Sequence, residues 1–540
     1  MFSTRYDSDQ KIWSGRHLAP FHHESVSLGR AIYYNLSFNR NVVGQISAET
    51  GLTVTNGEIC DQMLAIASNL AVRGAKKGQV IAIVAKNGPN IAPATFAAFF
   101  LGIAVNTLDP NYSVDEISHM LRQTQPCIVL CDRENYPNVQ SAIQSMKSTA
   151  RIINFGLRIE GVENIEDYLV PTGKEEALTR EIVDVDGSTC AVILCSSGTT
   201  GMSKGVSLTH QHFLYMMSYP VFVDCYHNGI MLCFSSLYWL SGMAHLLLTT
   251  FLGMTRVITT ETFNVDLCLD IIQKYQVTHL ITAPVQLAGI LSHKSLSPTS
   301  LASIREYMVG GSVVPKDNWL KIQAYMPNGS IKIVYGMSEV GYATCQEYRS
   351  TKYSTGKLAP DLQLKIVGDD GQNCPPGQTG EICFKPRFKF IRYIGNPEAT
   401  NEIVDADGWV HSGDIGMMDA DGDLQIVDRM KEILKYSNHH VSPSEIEEII
   451  FSHPEVEYVA VVGVPDAVFT DLPAAMVVRK EGSTVTEKEI SQLVASQLSN
   501  PKHLRGGVYF VNKLPLTPSG KVIKRKVKET VIELYKARHQ

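Results

Sequence analysis

Residues 191–205 read Ala-Val-Ile-Leu-Cys-Ser-Ser-Gly-Thr-Thr-Gly-Met-Ser-Lys-Gly. The apolar run at the front predicts a buried strand. The rest is a loop of three glycines, three serines, two threonines and one lysine. Glycines let the backbone approach a ligand closely and adopt positive φ. Successive N–H groups, hydroxyls and one ammonium can then cradle a polyphosphate. The glycine and lysine spacing is not that of a Walker A loop. A polar loop of no function is the plainer reading, but this loop is anchored directly on a strand.

Working outward, similar strands recur: Val-Ile-Ala-Ile-Val-Ala at 80–85, Cys-Ile-Val-Leu-Cys at 127–131, Ala-Arg-Ile-Ile-Asn-Phe at 150–155 and His-Leu-Ile-Thr-Ala-Pro at 279–284. Helical segments fall between them, as at 114–123 with Ser113 as cap. Continuous apolar strands alternating with helices predict parallel sheets covered on both faces. After about Pro360 the strands become shorter and more polar (361–371, 380–386 and 423–429), divided by Gly/Asp turns. Beyond Arg429 lies a smaller unit. It is expected to hold a helix at 442–452 capped by Ser442, strands near 457–464 and 474–479, and a helix at 486–498. The fold class expected is therefore α/β: a large N-terminal domain of stacked mixed and parallel sheets with helices plus a β-rich subdomain, and a small mobile α+β C-terminal domain. The division is expected at 1–428 and 429–540.

Composition sets limits. The chain has 540 residues, 44% hydrophobic and 19% charged, with net charge −6. Nothing in that balance is built to neutralise phosphate backbones, so a nucleic-acid partner is not expected. Eleven cysteines and a polar start point to reduced thiols in an intracellular protein. The pair Cys127 and Cys131 reads as strand rather than metal site. Stretches 91–108 and 230–255 are apolar enough to suggest membrane spans. Pro93 and Asn106 in the first, and His245 with repeated Ser, Thr and Gly in the second, favour buried helix and strand instead.

Four further motifs follow in order: Tyr335-Gly-Met-Ser-Glu339, Trp409-Val-His-Ser-Gly-Asp414, Asp428-Arg-Met-Lys431 and Leu516-Thr-Pro-Ser-Gly-Lys521. Taken singly, Glu339 could be an acid at a helix start, Asp414 a turn residue, and Lys521 with Lys524, Arg525, Lys526 and Lys528 a solvated basic face. Together with the loop at 195–205 they resemble the adenylate-forming superfamily of acyl-CoA synthetases, 4-coumarate–CoA ligases and firefly luciferase. The stretch from Gly408 to Lys521 is similar to luciferase-like insect proteins.

The resemblance implies ATP, Mg²⁺ and CoA as co-substrates of a carboxylic acid, with no obligatory protein partner. It implies that Ser196, Ser197, Gly198, Thr199, Thr200, Gly201 and Lys204 hold the phosphates. Glu339 would be the Mg²⁺ ligand, and Ser338, where the family usually has Thr, would bond the α-phosphate. Tyr335 and Gly336, with Gly310, Gly311 and Ser312, would meet adenine. Asp414 and Arg429 would meet ribose, and Lys521 the carboxylate–α-phosphate junction. Trp239, Gly242, Gly341, Tyr342 and Ala343 would line the acyl pocket. Lys435 matches a lysine of the second, thiol-transfer step. The catalytic set is thus Lys521, Lys435, Ser338, Glu339 and Lys204.

Departures carry information too. Trp239 stands where a histidine usually gates the pocket, which favours an apolar acid; a fatty acid of medium or long chain is expected. Ser437-Asn-His-His440 replaces the usual lysine-glycine and aromatic-glutamine run, which bears on the thiol tunnel. Ser203 replaces a proline. Rival readings are an aryl (4-coumarate-type) ligase, a luciferase-type oxygenase, weakened by Trp239 and by the lack of arginine at 218–230, and a relative that binds without catalysis. The ending Ala537-Arg-His-Gln540 is not a Ser-Lys-Leu type signal, so cytoplasm is expected, with the peroxisome as alternative.

Overall fold

The computed structural model describes residues 3–180, 185–196, 203–219, 229–388, 390–436, 439–466, 468–516 and 521–539. Two large sheets and one smaller one dominate residues up to Arg429. The first has eight strands, its centre formed by Cys190–Ser196, Ala104–Leu108, Val80–Val84, Ile128–Asp132 and Arg151–Phe155 in that spatial order. These pair in parallel. The second has nine, with His279–Thr282, Glu306–Gly310 and Ser330–Met337 parallel and Gly341–Cys345 returning antiparallel. The third is a six-stranded antiparallel sheet running from Thr4–Asp7 to Leu424–Arg429. The parallel strands are buried nearly end to end, as in Val80–Val84 and Ala104–Leu108. That is the pattern of sheets covered by helices on both faces.

The two apolar stretches are internal. Residues 91–108 form the buried helix Ile91–Phe100 and the strand Ala104–Leu108. Residues 230–255 span the strand Ile230–Cys233 and the helix Leu240–Phe251 and reach the strand Thr255–Ile258. No described helix is long and apolar enough to cross a membrane.

From Leu434 onward the chain builds a separate apolar core that extends to Val531. The helix Pro443–Phe451 is capped by Ser442, whose Oγ accepts the Glu445 N–H. Thr486 and Glu489 form a reciprocal capping box for the helix Glu487–Gln497. Strands Val456–Asp466 and Thr470–Arg479 form the central hairpin. The unit holds two elements beyond the expected helices and strands: Gly507–Phe510 joins Thr470–Arg479 in parallel, and a helix Lys524–His539 follows. The basic run is not simply a solvated face either. Lys524 bonds Glu447 and donates to the Val461 carbonyl at 3.0 Å. A short basic run reads as surface because its apolar positions, Val527 and Val531, are few.

Candidate active site

The phosphate-type loop leaves the strand Cys190–Ser196 and returns along Lys204–Thr209. Residues Ser197, Gly198, Thr199, Thr200 and Gly201 lie outside the described residues. Their two anchors are described. Ser196 Oγ accepts the Lys204 N–H at 3.2 Å. Ser203 is fixed by Tyr112 Oη at 2.6 Å and by His119 Nε2 on its carbonyl at 3.1 Å.

Lys204 lies beside a residue that no motif pointed to. Tyr393 pairs with the lysine's own strand, opposite Val206. The Lys204 Nζ sits 5.0 Å from the centre of the Tyr393 ring, within cation–π range. The Tyr393 hydroxyl donates to Glu339 Oε1 at 2.5 Å. Tyr393 thus ties the loop lysine to the acid of the Tyr335–Glu339 motif. It is 54 residues from Glu339 in sequence, and no spacing rule joins them.

Glu339 sits in the tight turn between Ser330–Met337 and Gly341–Cys345 and is buried. Burial pushes its carboxyl above the usual range, while Tyr393, Arg429 and Lys204 pull the other way. Two glycines make the turn possible. A Cβ on Gly336 would come within 2.2 Å of the Gly341 carbonyl oxygen, and Gly341 has φ +83°. Ser338, on the same turn, is half-buried. Gly341, Tyr342 and Ala343 follow on a fully buried strand.

Asp414 is placed by a bulge. Glu381 pairs with Ile415 but Cys383 pairs with His411, so one residue faces three. Bulges beside functional sites re-aim a side chain. Here Ser412 Oγ donates to the Ile382 carbonyl at 2.7 Å, and Gly413 takes φ +68°. Asp414 then accepts from Tyr335 Oη at 2.6 Å and meets Arg429 Nε at 3.2 Å. Burial, then the Asp414 charge, raises the Tyr335 phenol well above its ordinary value, so it stays a donor.

Lys521 comes in from the smaller unit. Its Nζ lies 5.8 Å from the centre of the Trp239 ring. Its Cε lies 3.8 Å from where a Cβ on Gly311 would stand. Burial, with Arg429 nearby, pushes its ammonium down to about 8 against the pull of Asp414. Trp239 precedes the helix Leu240–Phe251 and stacks edge-on against Tyr238. Gly242, one turn on, packs against the Ser236 carbonyl, where a Cβ would lie 2.0 Å from the oxygen. Gly310 ends its strand against Val334, and Gly311 and Ser312 are exposed beside it.

Lys204, Glu339, Asp414, Arg429 and Lys521, spread over more than three hundred residues, are thus linked through Tyr393, Tyr335 and mutual charge. Lys435 is not part of this group. It is exposed on the strand Leu434–Tyr436, and its N–H donates to Asp471. Ser437 and Asn438 lie outside the described residues, and His439 is exposed.

Residues 39–393 match the family described as AMP-binding enzyme, and residues 445–521 match the AMP-binding enzyme C-terminal domain. The chain belongs to the AMP-binding enzyme family. Among its relatives, 4-coumarate–CoA ligase 3 of Oryza sativa subsp. japonica is 29% identical over 497 residues, 89% of this chain and 88% of that protein. Luciferin 4-monooxygenase of Photinus pyralis is 28% identical over 546 residues, 96% of this chain and 97% of that protein. The fold is that of ATP-bound MatB from Rhodopseudomonas palustris, with TM-score 0.85 at 24% identity over 94% of this chain and 99% of that one. The resemblance read from the five motifs and the two-part fold are both borne out. The family member described here is an adenylate-forming, ATP-dependent enzyme of the acid–CoA ligase group.

Proposed function

We propose that this enzyme activates an apolar carboxylic acid, a fatty acid of medium or long chain, as its acyl-adenylate and then passes the acyl group to CoA. In the first step a carboxylate oxygen attacks the α-phosphorus of ATP, the bond to the bridging oxygen breaks, and pyrophosphate leaves. Negative charge grows at phosphorus, and fixed positive charge stabilises it. Lys521 and Lys204 are the two ammonium groups we assign to that task. Ser196 and the loop at 197–201 would hold phosphate oxygens, and Ser338 the α-phosphate. Tyr335, with Gly310, Gly311 and Ser312, would border adenine, and Asp414 with Arg429 the ribose.

The Glu339 carboxylate is a hard oxygen donor of the kind Mg²⁺ takes. It is buried, with one oxygen already accepting from Tyr393, so the donor set fits that ion. When bound, Mg²⁺ would neutralise charge on the phosphate oxygens.

The division of labour we assign is residues 1–428 for the adenylation part and 429–540 for the domain that carries Lys521 and Lys435. The separate core from Leu434 to Val531 supports it. In the thiol step the CoA sulfur attacks the acyl carbon and AMP leaves. Lys435, exposed on its strand here, would act there after a domain rotation.

The observation that carries the reading is Lys521 Nζ over Trp239. It joins the lysine of one unit to an apolar indole at the mouth of a buried helix in the other. Such a wall suits an alkyl chain better than a polar acid. The test is pyrophosphate release with MgATP and acids from acetate to long fatty acids, with coumarate and luciferin added, with and without CoA. Sustained CoA-dependent turnover best on fatty acids is expected. Preference for coumarate, or light with luciferin, would replace the substrate assignment, and a single CoA-independent burst would remove the second step.

A further inference from the structure

Beneath the Asp414 bulge lies a second cluster that the adenylation chemistry does not use. His411 Nδ1 is 2.8 Å from Glu381 Oε2 and 3.4 Å from Cys383 Sγ. The donor atoms of all three lie within 4.8 Å of one another. An ordinary Glu–His ion pair needs no thiol at the same nitrogen. The cross-strand register supplies one, because Cys383 pairs directly with His411 and Glu381 sits two residues away on the same face.

We propose that Glu381, Cys383 and His411 form a binding site for a borderline-soft divalent cation of the zinc class. Carboxylate, thiolate and imidazole are the donor types that zinc accepts, at about 2.0–2.3 Å. A tetrahedral ion with such bonds separates its ligand atoms by roughly 3.2–3.8 Å. The Sγ–Nδ1 separation already falls there, and the Nδ1–Oε2 separation must open by about half an ångström. A fourth position is left for water.

The surroundings fit the same ion. The other nitrogen of the ring, His411 Nε2, faces Asp405 Oδ2 at 3.7 Å. Metal-bound histidines commonly donate their free N–H to a carboxylate, which fixes the ring. Asp405 is itself held by the Trp409 N–H at 2.8 Å and faces Lys365 at 3.6 Å. An entry route exists. Cys383 is fully buried, but the His411 and Glu381 side chains are 32% and 17% exposed, so an ion arrives from their side. Burial, then the Glu381 and Asp405 charges, pushes the Cys383 thiol up to about 12. A bare thiol there is protonated and inert as a nucleophile, and a metal ion would displace its proton.

Occupancy has a consequence for the neighbouring site. Glu381 Oε1 accepts the Gly413 N–H at 3.2 Å, one residue before Asp414. An ion that draws the carboxylate away loosens the turn that aims Asp414. Weaker ATP binding with the ion bound follows, and this coupling rests on the ribose role proposed for Asp414.

The experiment uses the full chain. Zn²⁺ is titrated in competition with a chromophoric chelator, and Co²⁺ is added separately to read the thiolate charge-transfer band. Wild type is expected to show the band and one site that Cys383→Ser and His411→Gln each weaken at least about tenfold. Asp405→Asn, which keeps all three donors, should weaken it less. Equal Zn²⁺ affinity in wild type and Cys383→Ser, or no Co²⁺ thiolate band in folded wild type, would overturn the site. These readouts need no nucleotide, so they stand apart from the adenylation reading. A KM for ATP that rises with Zn²⁺ in wild type but not in Cys383→Ser is the expected coupling, and an unchanged KM at full occupancy would overturn that part.

Discussion

A buried carboxylate is useful only if it stays charged, and the Tyr393 hydroxyl helps to keep Glu339 so, together with Arg429 and Lys204. Its Oε1 accepts from Tyr393, and burial alone would push its carboxyl up. A hydrogen bond to a charged group contributes about 1.5–3 kcal/mol. Tyr393→Phe is therefore expected to raise the Mg²⁺ concentration for half-maximal pyrophosphate release about tenfold, and to move the acid limb of the rate profile upward. An unchanged Mg²⁺ dependence would remove Tyr393 from the site. Lys521 makes the opposite demand. With its ammonium pushed down to about 8, it loses its charge as pH rises through that value in the free enzyme. Arg429 and Asp414, the charged groups that face it, act in opposite senses. So kcat/KM for adenylate formation should fall on the alkaline side near pH 8. Lys521→Arg should shift that limb to higher pH at reduced rate, and a limb that stays put assigns it to another group. Glu339 and Lys521 were legible in sequence through their motifs. Tyr393 was not, because its role arises from pairing with the Lys204 strand.

Two backbone devices set the site at the level of elements. One is the hairpin of Ser330–Met337 and Gly341–Cys345, closed so tightly that Gly336 has no room for a Cβ. Gly336→Ala must open it, at a cost of about 1–3 kcal/mol if neighbours shift. The expected result is a folded protein with adenylate formation down at least about tenfold, since Ser338 and Glu339 move with the turn. Full activity in a folded Gly336→Ala protein would mean that the turn does not position them. The other device is the bulge at Ser412–Asp414. Its sequence, His-Ser-Gly-Asp, marks the motif but not the bulge. Whether Asp414 faces the site or the sheet depends on register with Gly380–Lys385, which no local pattern encodes.

Across the whole molecule, one strap of the N-terminal segment against the body is centred on Asp361, beyond the pairing of Ile12–Gly15 with Gln363–Val367. Asp361 bonds His17 Nδ1 at 2.8 Å, the Leu18 N–H at 3.2 Å and Arg387 Nη1 at 3.1 Å, and accepts from the Tyr215 hydroxyl. Burial pushes its carboxyl up, but Tyr215 and His17 outweigh that and hold it below the usual range. A depressed carboxylate contributes stability at neutral pH that is lost as pH falls through its folded value. Asp361→Asn should lower the melting midpoint by about 1–2 °C at neutral pH, in keeping with a loss of about 1–2 kcal/mol. The difference should shrink on acidification. An equal gap at all pH values would mean that the charge is not what holds the strap. Much of the architecture is encoded locally. The apolar runs at 80–85, 127–131 and 191–196 can satisfy their side chains only inside a covered sheet, and Ser113, Ser442 and Thr486 cap the helices that follow them. Five ordered motifs carried the family and most of the candidate residues. Tertiary structure alone decided that Lys521 meets Trp239, that Lys435 stands apart, and that Tyr393 and the Glu381, Cys383 and His411 cluster exist at all. Those facts depend on register, bulges and the packing of two cores. Such contacts join residues far apart in the chain, and the residue types themselves are compatible with many other placements.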